Sequence, residues 1–442
     1  MDFNAYFILM TIRNGDIMSK YCELSTKDAI KEYELLKASY EEYCSKGLQL
    51  DMSRGKPGPD QLTVSTEVLD LVNRDNGFRN RDGIDCRNYG GLDGLIELKE
   101  LFSQLLEVPE NQVIVSGNSS LNMMFDFVSQ AMTHGVGGQK PWLLQGGVKF
   151  LCPVPGYDRH FSICEHFGIE MINVPMTESG PDMDKVEELI QDEKVKGMWC
   201  VPKYSNPDGI VYSDETVRRL AAMRPAAKDF RILWDNAYVI HPIFGECDKL
   251  LNIYEECTRA GDPDKVILFT SSSKITFPGA GVAALGASPS NVAAIKKRMS
   301  FQTVGPDKLN QLRHARMFPD LEAVRKHMAL HAAAMQPKFQ TVLDELSKQL
   351  DGLGIATWTK PNGGYFISMF VSNGCAKRIV YLCKQAGLNL TPAGATYPYG
   401  IDPNDSNIRI APSFPLPDEL QTATELLCVV TKLVCLEKIL GK

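Results

Sequence analysis

The chain reads as an α/β protein built on a mostly parallel sheet with helices on its faces, followed by a smaller α+β region. Three observations predict this. Short apolar runs recur between residues 149 and 273: KFLCPVP, IEMINVP, VKGMWCVP, FRILWDNAY and KVILFTSSS. Each is short enough for a strand buried on both faces. Stretches of helical spacing separate them, at 157–167, 183–191 and 214–224, and a parallel neighbour needs such a crossover. From about Glu322 the alternation stops and long helices take over.

In chain order, a helix is expected over 25–47, capped by Ser25 or Thr26 and stopped by Gly47. DMSRGKPGPDQL, with two glycines and two prolines in a short stretch, is a structured loop. GLDGLIELKELFSQLLEV (91–108) is helical, and NQVIVSGNSSLNMMFDFVSQAM reads as a strand at Val113–Val115, a turn, and a helix from about Leu121. After the strand–helix alternation comes the long helix DLEAVRKHMALHAAAMQPKFQTVLDELSKQL. It leads into a hairpin-like GIATWTKPNGGYFISMF, a helix, a Gly/Pro/Asn-rich loop and a final helix. The expected division is a disordered extension at 1–17, the N-terminal part of a small domain at 18–65, a large domain at 66–320, and the rest of the small domain at 321–442.

Composition narrows the function. The 442 residues are 44% apolar and 23% charged, enough for a sizeable core. A net charge of −7 without a basic patch argues against a nucleic-acid partner. Twelve cysteines without a C-x-x-C pair suit reduced thiols inside a cell. The N-terminal AYFILMTI is too short for a membrane span and lacks a preceding basic region. A cytoplasmic protein is the expectation.

Several residues carry candidate chemistry. Lys274 lies in LFTSSSKITFPGAGVAALG, a stretch without an acidic side chain. Burial lowers a lysine pKa, and the neutral amine attacks aldehydes; a lysine on a surface loop reads equally well. VIVSGNSSLNMMF sets Ser116, Gly117, Asn118, Ser119 and Ser120 between strand and helix, where backbone N–H groups and hydroxyls suit a phosphate. A plain N-cap explains the same residues. Asp235 ends a buried strand in ILWDNAY, with Tyr238 three residues on, and can pair with a cation, ligate a metal or cap the next loop. YSNPDG (204–209) is a turn whose Asn206 amide can face a cleft. GAGVAA (279–284) matches a dinucleotide fingerprint in letters, but follows a proline loop and lacks the later acid. His327 and His331 have metal-ligand spacing without the glutamate of H-E-x-x-H, so no metal is expected. No G-x-S-x-G nucleophile motif is found.

Taken in order, the phosphate-type turn, Tyr157 in PVPGYDRHF, then Asn206, Asp235, Tyr238, Lys274 and Arg409 in NIRIAPSFP resemble the fold-type I aminotransferases that use pyridoxal 5′-phosphate. The resemblance spans about Arg54 to Pro415 and looks closest to the aspartate aminotransferase-like or MocR-type branch, without the regulators' winged-helix domain. It implies a seven-stranded sheet in the large domain and a homodimer with shared active sites. Lys274 matches the lysine that forms the internal aldimine, and Asp235 the carboxylate under the pyridine nitrogen. Tyr238 and Asn206 match the partners of the ring's 3′-oxygen, and Tyr157 the ring that stacks on the pyridine. Asn118, Ser119, Ser120, Ser271 and Ser273 match phosphate positions, and Tyr89 the tyrosine that reaches a phosphate across the dimer. Arg409 matches the arginine holding the substrate α-carboxylate, with Gly55 lining that site. One departure stands out: family members have an arginine in PGxRxG where this chain has Gly281.

The implied function is a ping-pong transaminase joining an L-amino acid and a 2-oxo acid, with aspartate and 2-oxoglutarate as first substrates. Arg54 and Lys56 are candidates for a distal carboxylate. A β-lyase or decarboxylase using the same cofactor, or a non-catalytic amino-acid-sensing domain, remain open on sequence.

Overall fold

The computed structural model describes residues 20–442; the extension expected at 1–17 lies outside the described residues. Strands in chain order are β1 (Leu50–Asp51), β2 (Val113–Val115), β3 (Lys149–Val154), β4 (Glu170–Thr177), β5 (Gly180–Pro181), β6 (Val195–Cys200) and β7 (Arg231–Asp235). They continue with β8 (Val266–Ser271), β9 (Ala283–Ala287), β10 (Ala356–Trp358), β11 (Ile367–Val371), β12 (Leu388–Asn389) and β13 (Asn407–Ile410).

The large sheet has the order β2-β9-β8-β7-β6-β3-β4-β5. It holds one strand more than the expected seven: β5 is a two-residue edge strand hairpinned antiparallel onto β4. Only β9 runs against the others in the body of the sheet, pairing antiparallel with both β2 and β8. Strands β8, β7, β6, β3 and β4 are mutually parallel, and β2 points with them. The carboxyl ends of β2, β3, β6, β7 and β8 therefore open on one side, where such sheets bind ligands.

Both faces are buried, which is why the strands are apolar throughout. Along β7, Ile232 and Trp234 enter one core while Leu233 enters the opposite one. Along β8, Val266 and Leu268 alternate with Ile267 and Phe269 in the same way. The period of two sends successive side chains to opposite faces.

A third core unites the two ends of the chain. Leu36, Leu50 and Met52 pack with Phe339, Leu346, Ile379 and Leu427. Helix Thr26–Ser45 begins where Ser25 Oγ accepts from Asp28 N at 3.2 Å, and Asp320 caps helix Leu321–Leu350 by accepting from Ala323 N at 2.8 Å. Both helices pack on the last one, Pro417–Leu440. Parallel pairing of β1 with β12 (Leu50 opposite Leu388) ties the first segment to the last, and a three-stranded antiparallel sheet β10-β11-β13 carries Arg409. This is the smaller α+β unit built from both chain ends.

Candidate active site

The strand ends gather the candidate residues into one cleft. Lys274 closes a short turn, Ser272–Lys274, directly after β8. Its Nζ lies 4.7 Å from the ring centre of Tyr238 and 5.8 Å from that of Tyr365. Burial pushes its ammonium pKa down; Asp235 opposes the shift and Arg409 adds to it. Water loss disfavours the charged form, so the amine is drawn toward its nucleophilic state.

Asp235 is the last residue of β7 and is 2% exposed. His160 Nε2 donates to its Oδ2 at 3.0 Å, the only sense an ionised carboxylate allows. The His160 ring is stacked on the Trp199 indole, 4.3 Å between centres and 9° from parallel, with Tyr157 edge-on at 4.9 Å. Asp235 Oδ1 is buried without a hydrogen-bond partner. A buried carboxylate oxygen left bare is costly, so this atom is set up for a donor that the chain itself does not supply.

Arg409, buried on β13, is held from three sides. Its Nη1 donates to Asp158 Oδ1 at 2.9 Å and to Asn206 Oδ1 at 3.2 Å, and its Nε to Thr391 Oγ1 at 3.3 Å. The guanidinium lies over the Phe366 ring at 4.8 Å. Gly55 packs on the other partner of that stack: a Cβ there would sit 2.5 Å from Phe366 Cζ. Only glycine lets the loop approach the ring so closely.

At the opposite end, helix Ser120–His134 presents its N-terminus with no acidic residue in the first turn, and Ser119 Oγ accepts from Leu121 N at 3.2 Å. The remaining first N–H groups have no intrahelical acceptor. Ser271 Oγ donates to Ser273 Oγ, and Ser273 Oγ donates to Asn118 O, each at 3.1 Å. Gly281 explains its own identity: a Cβ would meet Ser273 N at 3.1 Å and Asn118 O at 3.2 Å. The missing side chain allows the Asn118 and Ser273 loops to close on each other.

Of the sequence candidates, Lys274, Asp235, Tyr238, Tyr157, Asn206 and Arg409 are joined by these contacts; burial, with Tyr157 and Asp235 nearby, also raises the Tyr238 pKa. Asn118, Ser119, Ser120, Ser271 and Ser273 form the serine-lined end. Tyr89 stands apart, 83% exposed, and Arg54 and Lys56 are exposed, with Lys56 Nζ over the Phe414 ring at 3.6 Å. His160, Asp158, Thr391, Phe366 and Tyr365 were not singled out from the sequence. His160 had a readable signal, since it follows Tyr157 by three residues at the start of a helix and so shares its face. Asp158, beside it, had none. His327 and His331 are hydrogen-bonded to protein groups, and no cluster of three His, Cys, Asp or Glu suited to a metal exists among the described residues.

A lysine amine and a half-partnered aspartate at the carboxyl ends of a parallel sheet, faced by a buried arginine from the smaller antiparallel sheet, suit a pyridoxal-phosphate-type aminotransferase of fold type I. The chain belongs to the aspartate amino-transferase family, whose model matches residues 24–442. It is 47% identical over 394 residues to an aspartate aminotransferase of Corynebacterium glutamicum, covering 89% of this chain and 91% of that one. The crystal structure of an aspartate transaminase from the same organism superposes with a TM-score of 0.93 at 44% identity, covering 96% of this chain and 100% of that one. Fold alone is shared with the α-aminoadipate aminotransferase LysN of Thermus thermophilus, solved with N-(5′-phosphopyridoxyl)-L-leucine (TM-score 0.72, 21% identity, 94% and 100% covered).

The residues fit the cofactor that the family implies. Asp235 Oδ1 lacks a donor, which a protonated ring nitrogen provides. The helix N-terminus and serine hydroxyls suit a phosphate. No helix among the described residues is long and apolar enough to cross a membrane.

Proposed function

We propose that this aminotransferase exchanges the amino group of L-aspartate with 2-oxoglutarate, with pyridoxal 5′-phosphate held between Asp235 and the serine-lined helix N-terminus. The observation that carries the reading is Lys274 Nζ lying 4.7 Å from the Tyr238 ring centre, in the same group of strand-end residues as Asp235, whose buried Oδ1 lacks a partner. When bound, pyridoxal phosphate supplies an aldehyde for a primary amine and a ring that accepts electrons from the substrate's α-carbon.

Asp235 Oδ1 would accept from the protonated ring nitrogen, and His160, stacked on Trp199, donates to Oδ2 and so aims the carboxylate. Tyr157 would stack on the ring, while Tyr238 and Asn206 would bond its phenolic oxygen. Asn118, Ser119, Ser120, Ser271 and Ser273 hold the phosphate, joined by Tyr89 of a second copy in a homodimer. Lys274 would supply the primary amine that the cofactor's aldehyde takes up, and would move the proton at the substrate's α-carbon. Arg409 would hold the substrate α-carboxylate and so orient the bonds at its α-carbon. Asn206 and Gly55 shape that end, Gly55 through Phe366. Eleven cysteines among the described residues are free thiols, in keeping with a cytoplasmic enzyme.

A screen of amino donors against 2-oxoglutarate and pyruvate tests the reading. Aspartate with 2-oxoglutarate is expected to turn over fastest, yielding glutamate. Ammonia or pyruvate released without an acceptor contradicts it in favour of lyase chemistry.

A further inference from the structure

A chain of buried polar groups starts at the peptide after Lys274 and ends beneath its amine. His327 Nε2 donates to Ile275 O at 2.7 Å, and Ser65 Oγ donates to the same carbonyl at 3.3 Å. His331 Nε2 lies 3.1 Å from His327 Nε2. Gln61 Nε2 reaches His331 Nδ1 at 3.2 Å and donates to Tyr365 OH at 2.9 Å. The Tyr365 ring is stacked against Tyr238, 6.0 Å between centres, and both rings face Lys274 Nζ. Every member is buried, with Gln61 and Ser65 fully so. The path closes on itself: it leaves Lys274 through the backbone and returns to it through an aromatic face.

We propose that His327, His331 and Gln61 are positioning residues for Lys274, fixing its backbone at Ile275 O and its aromatic floor at Tyr365. The inference rests on Lys274 being the reactive amine. A base that must reach both an aldehyde carbon and an α-proton gains from a fixed tether, and misplacement of about 1 Å costs roughly 100-fold in rate. Two histidines four residues apart on helix Leu321–Leu350 supply that tether as ring-width hydrogen-bonding groups rather than as metal ligands. Burial holds both imidazoles below their usual pKa, His331 down to about 4. The third nearby imidazole, His241, packs edge-on to Tyr238 and Tyr365, and the Lys274 backbone lies against it.

The test compares holoenzyme carrying His327→Leu, His327→Gln or Tyr365→Phe with the parent. Measured are kcat, KM for the amino donor, and the pH midpoint of the near-visible absorption band. His327→Leu is expected to lower kcat about tenfold or more with KM within about twofold, and to move the midpoint by about half a unit or more. His327→Gln, which keeps a donor, is expected to recover most of both. Tyr365→Phe, which removes one hydroxyl and threatens folding least, is expected to lower kcat several-fold and move the midpoint in the same sense. Unchanged kcat and midpoint in Tyr365→Phe, or in a folded His327→Leu, overturn the proposal. Borohydride trapping of the parent on a lysine other than Lys274 overturns instead the reading beneath it.

Discussion

Asp208 offers the sharpest quantitative prediction. It lies in the turn two residues past Asn206, is 6% exposed, and its Oδ1 is buried without a partner. Burial pushes its pKa from 3.8 up to about 7, with the Ser368 hydroxyl pulling the other way. The folded pKa lies above the unfolded one, so the folded chain holds a proton that the unfolded chain gives up. The contribution to stability is therefore fully present below the unfolded value and is lost as pH rises toward 7. The shift spans about 3 units at about 1.4 kcal/mol each, giving a ceiling of about 4 kcal/mol lost by neutral pH. Asp208→Asn keeps the shape and removes the titration. Urea unfolding at pH 5, 6.5 and 8 should show the variant gaining on the parent as pH rises, by about 1–4 kcal/mol at pH 8. A stability difference that stays constant over that range refutes the reasoning.

Three further outcomes follow from the site. Arg409→Ala strips the partly exposed Asp158 and the buried Asn206 of their shared donor. It should lower kcat/KM for the amino donor by about 10²- to 10³-fold, the scale of losing one member of a buried, hydrogen-bonded charge pair; near-parental kinetics would move the carboxylate site elsewhere. Asp235→Asn should retain cofactor by absorbance while kcat falls about 100-fold or more, because an amide does not hold a ring nitrogen protonated; a parental kcat counts against that role. Gly55→Ala places a Cβ 2.5 Å from the Phe366 ring. It should cost about 1–3 kcal/mol of stability and raise KM for the amino donor, whereas an unchanged KM would uncouple Phe366 from Arg409.

Much of this was legible in the sequence because parallel strands buried on both faces have to be apolar. KVILFTSSS and FRILWDNAY announce β8 and β7, and the polar residues that end them, Lys274 and Asp235, are those that the topology brings together. Strand β9 escaped notice because AALGA is built of small residues whose pairing is set by neighbours on both sides. The two-residue β5 is too short to show a period. Asp158 and Thr391 were illegible because their meaning depends on where Arg409 arrives, some 251 and 18 residues away along the chain. The histidine pair illustrates a different limit. Its spacing is that of metal ligands, yet a carbonyl from the turn after β8 and a glutamine from the N-terminal segment occupy the positions that a metal would need. Gly281, a departure from the family pattern on sequence, sits where the Ser273 and Asn118 loops pack closely, with little room for a side chain.

The most direct trial is borohydride reduction of the holoenzyme, digestion, and mass spectrometry of the peptide containing residues 268–286. A phosphopyridoxyl group fixed on the Lys274 ε-nitrogen, and absent from Lys274→Ala, is the predicted result. A reduced cofactor on any other residue, or none on a protein that binds and turns over normally, contradicts the account.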